Sequence, residues 1–265
     1  MRPDYMHIAH TWTERKIKTE QDFDIALDNY RILFAYHSNA IEDAGVSMHQ
    51  TREIFENGKV TNYTGELRHL FETQNQKVCY EWLKSKIVKP EKVTPDLVCQ
   101  IHERLCHGCC DEARWAKGER PGQFKKGFYG VGLDAGLPPE DVEEEVEFIC
   151  REIEEAESFD GTVASAQRLL TTAAYFHLNF ENIHPFADGN GRVGRTLLNY
   201  FLMTHGLPPT VIFDEDKETY YECLLVFDKT EKMDAFVQFL QEQTEKTWIQ
   251  TRRTKTKGTI RTICL

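Results

Sequence analysis

The chain has 265 residues, of which 40% are hydrophobic and 28% charged, a composition typical of one large globular domain or of a core with an appended lobe. Its 32 Lys and Arg against 43 Asp and Glu give a net charge of −11, which argues against general affinity for nucleic acid or anionic membranes. No stretch approaches the ~18 consecutive apolar residues of a membrane span. The N-terminus also lacks an apolar signal run, so we expect a cytoplasmic protein whose eight cysteines are thiols.

Apolar residues recur at intervals of three or four along most of the chain, which predicts a mainly α-helical fold. The predicted helices cover 20–41, 47–55, 64–87, 94–106, 138–158, 163–180, 192–205, 217–227 and 234–250. The third helix is expected to turn one apolar face inward, formed by Leu67, Leu70, Phe71, Val78, Trp82 and Leu83. The Ala-rich helix 163–180 is expected to be central.

A glycine-rich segment between Gly118 and Gly136 interrupts the helical pattern and predicts a short β-hairpin. One interpretation is that the hairpin only covers the core. The other is that its edge pairs with an extended segment of a target protein, as a docking flap. The flap residues would then be Gln123, Phe124, Lys125, Lys126 and Gly127.

Candidate chemistry concentrates in the polar loop between the two central helices, from Ile183 to Arg195. Glycines on both sides of Asn190 let several backbone N–H groups point into one concavity, beside the positive end of the following helix dipole. Arg192 and Arg195 are three residues apart, so both can reach the same anion. The loop therefore predicts a polyphosphate site.

Two further side chains of the loop suit phosphate chemistry. Asp188 is a hard oxygen ligand for a Mg²⁺ that bridges phosphate oxygens. His184, with a reference pKa of ~6.5, can take a proton from an attacking hydroxyl. The spacing Gly189-x-Gly191-x-x-Gly194 also fits a dinucleotide fingerprint, but the segment before it is helical instead of a strand, and we reject that interpretation.

From His184 to Arg195 the sequence resembles, at every fixed position, the H-x-F-x-D-G-N-G-R-x-x-R signature of Fic-domain proteins. The preceding helix, the Pro121-Gly122-Gln123-Phe124 segment and Tyr220-Tyr221 also resemble the layout of that family. The resemblance implies a Fic-type helical bundle that transfers AMP from ATP to a protein hydroxyl. Family members that phosphorylate instead carry a lysine near the position of Gly191, and this chain has none there.

The resemblance also implies a role for each loop residue. His184 would be the catalytic base, Asp188 would bind Mg²⁺ or Mn²⁺, and Phe186 would anchor the loop. The implied nucleotide-binding residues are Gly189, Asn190 and Gly191 for the α- and β-phosphates, and Arg192 and Arg195 for the β- and γ-phosphates. Tyr220 and Tyr221 have two interpretations, ordinary helix packing first and a wall beside the nucleobase second.

A second match lies upstream, where Ser38-Asn39-Ala40-Ile41-Glu42-Asp43 resembles the inhibitory helix S/T-x-x-x-E-G/N of the subgroup that carries it N-terminal to the core. Ser38 and Glu42 are four residues apart and share one helix face. The resemblance implies that Glu42 pairs with Arg195 and takes the space of the γ-phosphate. Asp43 departs from the Gly or Asn of the pattern.

Two other features have structural interpretations that we prefer. The spacing of Cys99, His102, Cys106 and Cys109 is compatible with a metal site, but these residues lie along one predicted helix beside its apolar stripe, which favours buried thiols. The basic end, with Arg252, Arg253, Lys255, Lys257 and Arg261, is more typical of a solvated tail than of a nucleic-acid site.

The sequence thus predicts three parts: an N-terminal helical lobe with the inhibitory helix (1–92), a Fic catalytic core (93–230), and a C-terminal helix with a basic tail (231–265). The expected activity is AMP transfer to Ser, Thr or Tyr of a target protein or of the chain itself, with AMP removal by the same site as an extension. The alternatives are a transferase of phosphate, UMP or phosphocholine, and a non-catalytic nucleotide-binding regulator. Oligomeric state is left open, and a homo-oligomer is compatible with the sequence.

Overall fold

The computed structural model describes residues 4–42, 45–131 and 134–260, and these fold into eleven α-helices and one short antiparallel strand pair. The helices are α1 (Tyr5–Glu14), α2 (Glu20–Ala40), α3 (Met48–Asn57), α4 (Leu67–Val88), α5 (Pro95–Leu105), α6 (Glu112–Ala116), α7 (Val142–Glu152), α8 (Val163–Ile183), α9 (Asn190–Thr204), α10 (Lys217–Thr230) and α11 (Asp234–Ile260). The mainly α-helical prediction is confirmed. Helices α1 and α6 were not predicted, and α7 is shorter than the predicted 138–158.

Side-chain caps set several helix boundaries near their predicted places. The Thr19 hydroxyl accepts the Asp22 N–H, and the Asp22 carboxylate accepts the Thr19 N–H, which closes a capping box on α2. Ser47 caps α3, and Gly58 ends it in the left-handed region at φ 66°. Thr94 caps α5, which begins with Pro95. These signals are local, so the sequence shows them directly.

Helices α8 and α9 pack against each other at the centre, so the polar loop that joins them is held between two buried helices. Ala173 and Ala174 of α8 are fully buried, and α9 is buried on nearly all sides. The main hydrophobic core also takes residues from α1, α4 and α11, including Ala9, Leu83 and Leu240. All three predicted parts therefore contribute to one core, and their division at 92 and 230 stays a prediction.

Helix α4 buries only part of the apolar face that its sequence predicts, with Leu83 in the main core and Trp82 packed against it. Leu67, Phe71 and Val78 are exposed at 70%, 52% and 45% of their surface, and that part of the prediction is wrong. The polar residues Glu72, Thr73, Asn75 and Gln76 are buried instead.

These buried polar groups on α4 are tolerated because they are hydrogen-bonded. Asn75 Nδ2 donates to the carbonyls of Leu105 and His107 at 3.1 and 2.8 Å, and Gln76 Nε2 donates to Asn39 Oδ1 at 3.4 Å. Partners on α2 and around the end of α5 thus decide which face of α4 turns inward.

The proposed flap residues Gln123–Gly127 lie in turns and irregular chain, so the predicted hairpin is wrong for them. The strands are two residues each, β1 (Gly130–Val131) and β2 (Asp134–Ala135), and they pair antiparallel. A buried carboxylate, Glu119, shapes the segment before them.

Glu119 Oε1 accepts the N–H groups of Lys126 and Gly127 at 3.0 and 3.1 Å and the hydroxyl of Tyr129 at 3.0 Å. These bonds use backbone donors that strand pairing would need, which explains why turns replace strands here.

Among the described helices, none is long and apolar enough to cross a bilayer. Helix α11 continues to Ile260, ten residues beyond its predicted end at 250. Asp43 and Arg261 lie outside the described residues.

Candidate active site

The loop from His184 to Gly189 has a fixed conformation. His184 ends α8 in the left-handed region at φ 50°, and Gly189 starts α9 at φ 78°. Between them, Asn190 Oδ1 accepts the Phe186 N–H and Asn190 Nδ2 donates to the Phe186 carbonyl, both at 2.8 Å. Both polar atoms of the Asn190 side chain are therefore bonded within the loop. Asn190 can contact a phosphate only through its main chain.

Phe186 anchors the loop through His102, a residue whose part in the site the sequence did not reveal. The two rings stack with centroids 3.7 Å apart. His102 Nδ1 accepts the Gly122 N–H at 2.9 Å, so its Nε2–H donates to the Asp188 carbonyl at 3.1 Å. Burial lowers the pKa of His102 to about 4, so this link from α5 to the loop is a neutral imidazole at pH 7.

His184, the proposed base, lies beside a buried lysine. Burial, and then the charge of Lys125, lower the pKa of His184 to about 4, so the imidazole is neutral at pH 7 and can accept a proton. Lys125 Nζ donates to the Ile183 carbonyl at 3.3 Å, and its backbone N–H donates to the Pro185 carbonyl at 2.9 Å.

Gly136 closes the other side of His184. A Cβ atom at Gly136 would lie 2.7 Å from His184 Cβ and 3.0 Å from Lys125 Nζ, so only glycine fits without a shift. The next residue, Leu137, donates its N–H to the Ile183 carbonyl at 3.3 Å. The segment Lys125–Leu137 is therefore bonded at both ends to the chain around His184. The sequence showed Gly136 only as the end of a glycine-rich stretch.

Arg195 is buried and reaches the N-terminal lobe, as predicted from Ser38 and Glu42. Its Nη2 donates to Glu42 Oε1 and to the Ser38 carbonyl, both at 2.8 Å, and its Nε donates to Ser38 Oγ at 3.1 Å. Glu42 also lies over the glycine turn, Gly189–Gly191 at the start of α9, since a Cβ atom at Gly191 would collide with Glu42 Oε1. A carboxylate oxygen thus occupies the position where the turn would receive an anion.

Arg192 has a carboxylate partner that the sequence did not reveal. Its Nη1 lies 3.0 Å from Oε1 of Glu72 on α4, and both side chains are buried. Arg192 Nε and Nη1 nevertheless have no hydrogen bond of good geometry among the described residues, which leaves buried donors suited to a phosphate. Arg192 and Arg195 are therefore each paired with a glutamate from the N-terminal part of the chain.

Asp188 is surrounded by guanidinium groups. Its Oδ2 contacts Arg68 and lies 3.6 Å from Arg114, and its Oδ1 lies 3.8 Å from Arg192. Burial would raise the pKa of Asp188, but the charges of Arg192, Arg68 and Arg114 lower it below its usual value. An ionised, partly exposed carboxylate at the edge of an anion-binding loop fits Mg²⁺, which takes one or two carboxylates together with phosphate oxygens.

The two tyrosines differ. Tyr220 is buried and its hydroxyl lies 2.9 Å from His177 Nε2, whereas Tyr221 is 42% exposed. Of the two, only Tyr221 therefore has a free face for a nucleobase.

Glu181, near Arg195, is buried, and burial raises the pKa of its carboxyl to about 7.

The thiols near the site are buried and protonated. Burial raises the pKa of Cys106 to about 12 and that of Cys109 to about 11. Among the described residues, the ligand atoms of Cys99, His102, Cys106 and Cys109 do not converge on one point.

Comparison with known proteins agrees with this geometry. Residues 92–202, which include α5, α8, α9 and the loop between them, match the family model described as "Fic/DOC family". The chain carries a Fic domain. The recognition from His184 to Arg195 is confirmed.

Curated relatives extend the similarity to most of the chain. Protein adenylyltransferase Fic of Nematostella vectensis is 30% identical over 218 residues, which cover 80% of this chain and 46% of the relative. Protein adenylyltransferase fic-1 of Caenorhabditis elegans is 27% identical over 247 residues, which cover 92% of this chain and 44% of the relative. The chain thus spans less than half the length of these relatives.

Solved structures share the fold. A Fic domain containing signaling protein from Bacteroides thetaiotaomicron superposes with a TM-score of 0.73 at 20% identity, over 92% of this chain and 93% of that one. Fic-1 from C. elegans gives a TM-score of 0.73 at 23% identity, over 96% of this chain and 72% of that one. The Fic-type helical architecture is confirmed.

Proposed function

We propose that this Fic protein is a protein adenylyltransferase, which moves AMP from ATP to a Ser, Thr or Tyr hydroxyl of a target protein. The observation that carries the proposal is a neutral histidine, His184, beside a glycine turn that is flanked by two buried arginines and an ionised carboxylate. The names of the curated relatives support the same activity.

In the proposed reaction, the target hydroxyl attacks the α-phosphorus of ATP. A new O–P bond forms, the hydroxyl proton passes to the His184 imidazole, and the bond from the α-phosphorus to the bridging oxygen breaks to release pyrophosphate. Arg192 and Arg195 hold the leaving phosphates, with the backbone N–H groups of the glycine turn. Asp188 would hold Mg²⁺, which neutralises phosphate charge when bound.

We further propose that Glu42 inhibits the reaction. Its carboxylate pairs with Arg195 and lies over Gly191, so the γ-phosphate would have to displace it. When ATP binds without this displacement, its α-phosphate is poorly aligned for attack.

A reducing cytoplasm is the proposed location, and the free cysteines of the described chain support it.

The test is mass spectrometry after incubation with Mg·ATP. The intact mass of the purified protein is measured first, and the proteins of an added cell extract, as a source of targets, are analysed next. We expect an added AMP on the chain or a target, and none with His184→Ala. Parallel incubations with UTP and CDP-choline identify a different donor. Nucleotide binding with no transfer from any donor, in the Glu42→Gly variant as well, would refute the proposed activity.

A further inference from the structure

Arg68 occupies the carboxylate oxygen of Asp188 that a metal ion would use. Asp188 Oδ1 already accepts the Gly189 N–H at 2.8 Å, which leaves Oδ2 as the oxygen free of main-chain bonds. Arg68 Nη2 donates to Oδ2. Because Arg68 and Asp188 are 120 positions apart, this contact depends on how α4 packs beside the loop.

Arg68 is held in place from its own helix. Its Nε donates to Glu72 Oε1 at 3.0 Å, one turn along α4, and the same oxygen lies 3.0 Å from Arg192 Nη1. Glu72 is buried, so this carboxylate is a fixed support for both guanidinium groups. The order Asp188, Arg68, Glu72, Arg192 forms a continuous line of alternating charges across the phosphate site.

The position of Arg68 in α4 is unfavourable for the helix by itself. It is the second residue of α4, where the helix dipole is positive and anions are preferred, and the residue before the helix, Glu66, gives no side-chain cap. Contacts of the side chain must therefore favour an arginine here. These contacts are the Asp188 carboxylate outside the helix and the Glu72 carboxylate one turn along it.

We propose that Arg68 is a built-in competitor of the metal ion at Asp188. The singly charged guanidinium is bonded to Oδ2 in place of a metal ion. A divalent metal therefore binds there only when Arg68 leaves that oxygen. The side chain of Arg68 is about one-third exposed, so it can turn into water without leaving a buried, unpaired charge. Arg114, 3.6 Å from the same oxygen, is held back by Asp111 at 2.7 Å.

This inference rests on the proposed role of Asp188 as metal ligand, and it adds a second control beside Glu42. Glu42 covers the place of a phosphate, whereas Arg68 covers the place of the metal. The metal alone should bind weakly to the free protein. Metal that arrives with a polyphosphate gains further oxygen ligands and can displace the arginine.

The experiment measures Mn²⁺ binding to the nucleotide-free protein by electron paramagnetic resonance. Arg68→Gln and Arg68→Ala should each tighten Mn²⁺ binding about fivefold, the effect expected from removing one partly exposed ion pair. Arg68→Lys keeps the charge and should restore weak binding. The matched control is Arg52→Gln, which removes a similarly exposed arginine paired with Glu56 on α3.

Adding Asp188→Asn to Arg68→Gln should abolish the gain. Unchanged or weaker Mn²⁺ binding in both folded Arg68 variants would overturn the inference, and so would a gain that survives Asp188→Asn. These outcomes are separate from the proposed activity. AMP transfer with no change in Mn²⁺ affinity refutes only the role of Arg68, and tighter Mn²⁺ binding with no transfer refutes only the activity.

Discussion

Replacing Glu42 with glycine should release Arg195 and raise self-AMPylation. The lost contact is a 2.8 Å ion pair between a buried guanidinium and a carboxylate that is 38% exposed. A charge-assisted hydrogen bond contributes ~1.5 to 3 kcal/mol, and the exposure of Glu42 places this one at the lower end, which corresponds to about tenfold in rate. Glu42 lies beyond Ala40, the last residue of α2, so glycine here does not interrupt the helix.

The assay is the rate at which AMP appears on the intact protein with Mg·ATP. Glu42→Gln should give a smaller increase, because an amide oxygen still accepts from Arg195 but carries no charge. Glu231→Gly is the control, since it removes an exposed acid at φ 57° where glycine is tolerated. Arg195→Ala should cancel the gain of Glu42→Gly. A rate within about twofold of wild type for Glu42→Gly, in folded protein that binds nucleotide, would refute the pairing as the cause of inhibition.

Three other predictions concern the histidines of the site and its surroundings. His184→Ala should lower AMP transfer by about 10² to 10⁴ while ATP binding, measured by calorimetry, is retained. Lys125→Met removes a positive charge that lowers the pKa of His184, so the acid limb of the pH–rate profile should move to higher pH; an unmoved limb would contradict the role of Lys125. His177, His102 and His184 have pKa values lowered to about 3, about 4 and about 4, so these three groups bind more protons in the unfolded chain below pH ~6.5; Glu181, whose pKa is raised to about 7, offsets only one of them. The urea midpoint should therefore fall between pH 7 and pH 5, and an equal midpoint at both would show that these imidazoles are not buried as neutral groups.

Much of the site is encoded in one contiguous stretch, which is why the sequence revealed it. From His184 to Arg195 the turn-forming glycines, the acid and the arginines lie within one loop and one helical turn, so their spacing alone places them together. Ser38 and Glu42 were identified by resemblance, and Arg195 does contact both. Helix caps such as Ser47 are local in the same way.

The contacts that the sequence does not reveal join helices that meet only after folding. The pairs Glu72–Arg192 and Arg68–Asp188 join α4 to the loop across more than a hundred positions, and no local spacing encodes them. The apolar pattern of α4 predicts its inner face only in part, because hydrogen-bond partners on neighbouring helices let the polar residues from Glu72 to Gln76 turn inward. Local sequence therefore determined the chemistry of the loop and the helix boundaries that carry side-chain caps. Only tertiary packing decided which charges face the loop, since burial and long-range pairing belong to the assembled helices and to no single segment.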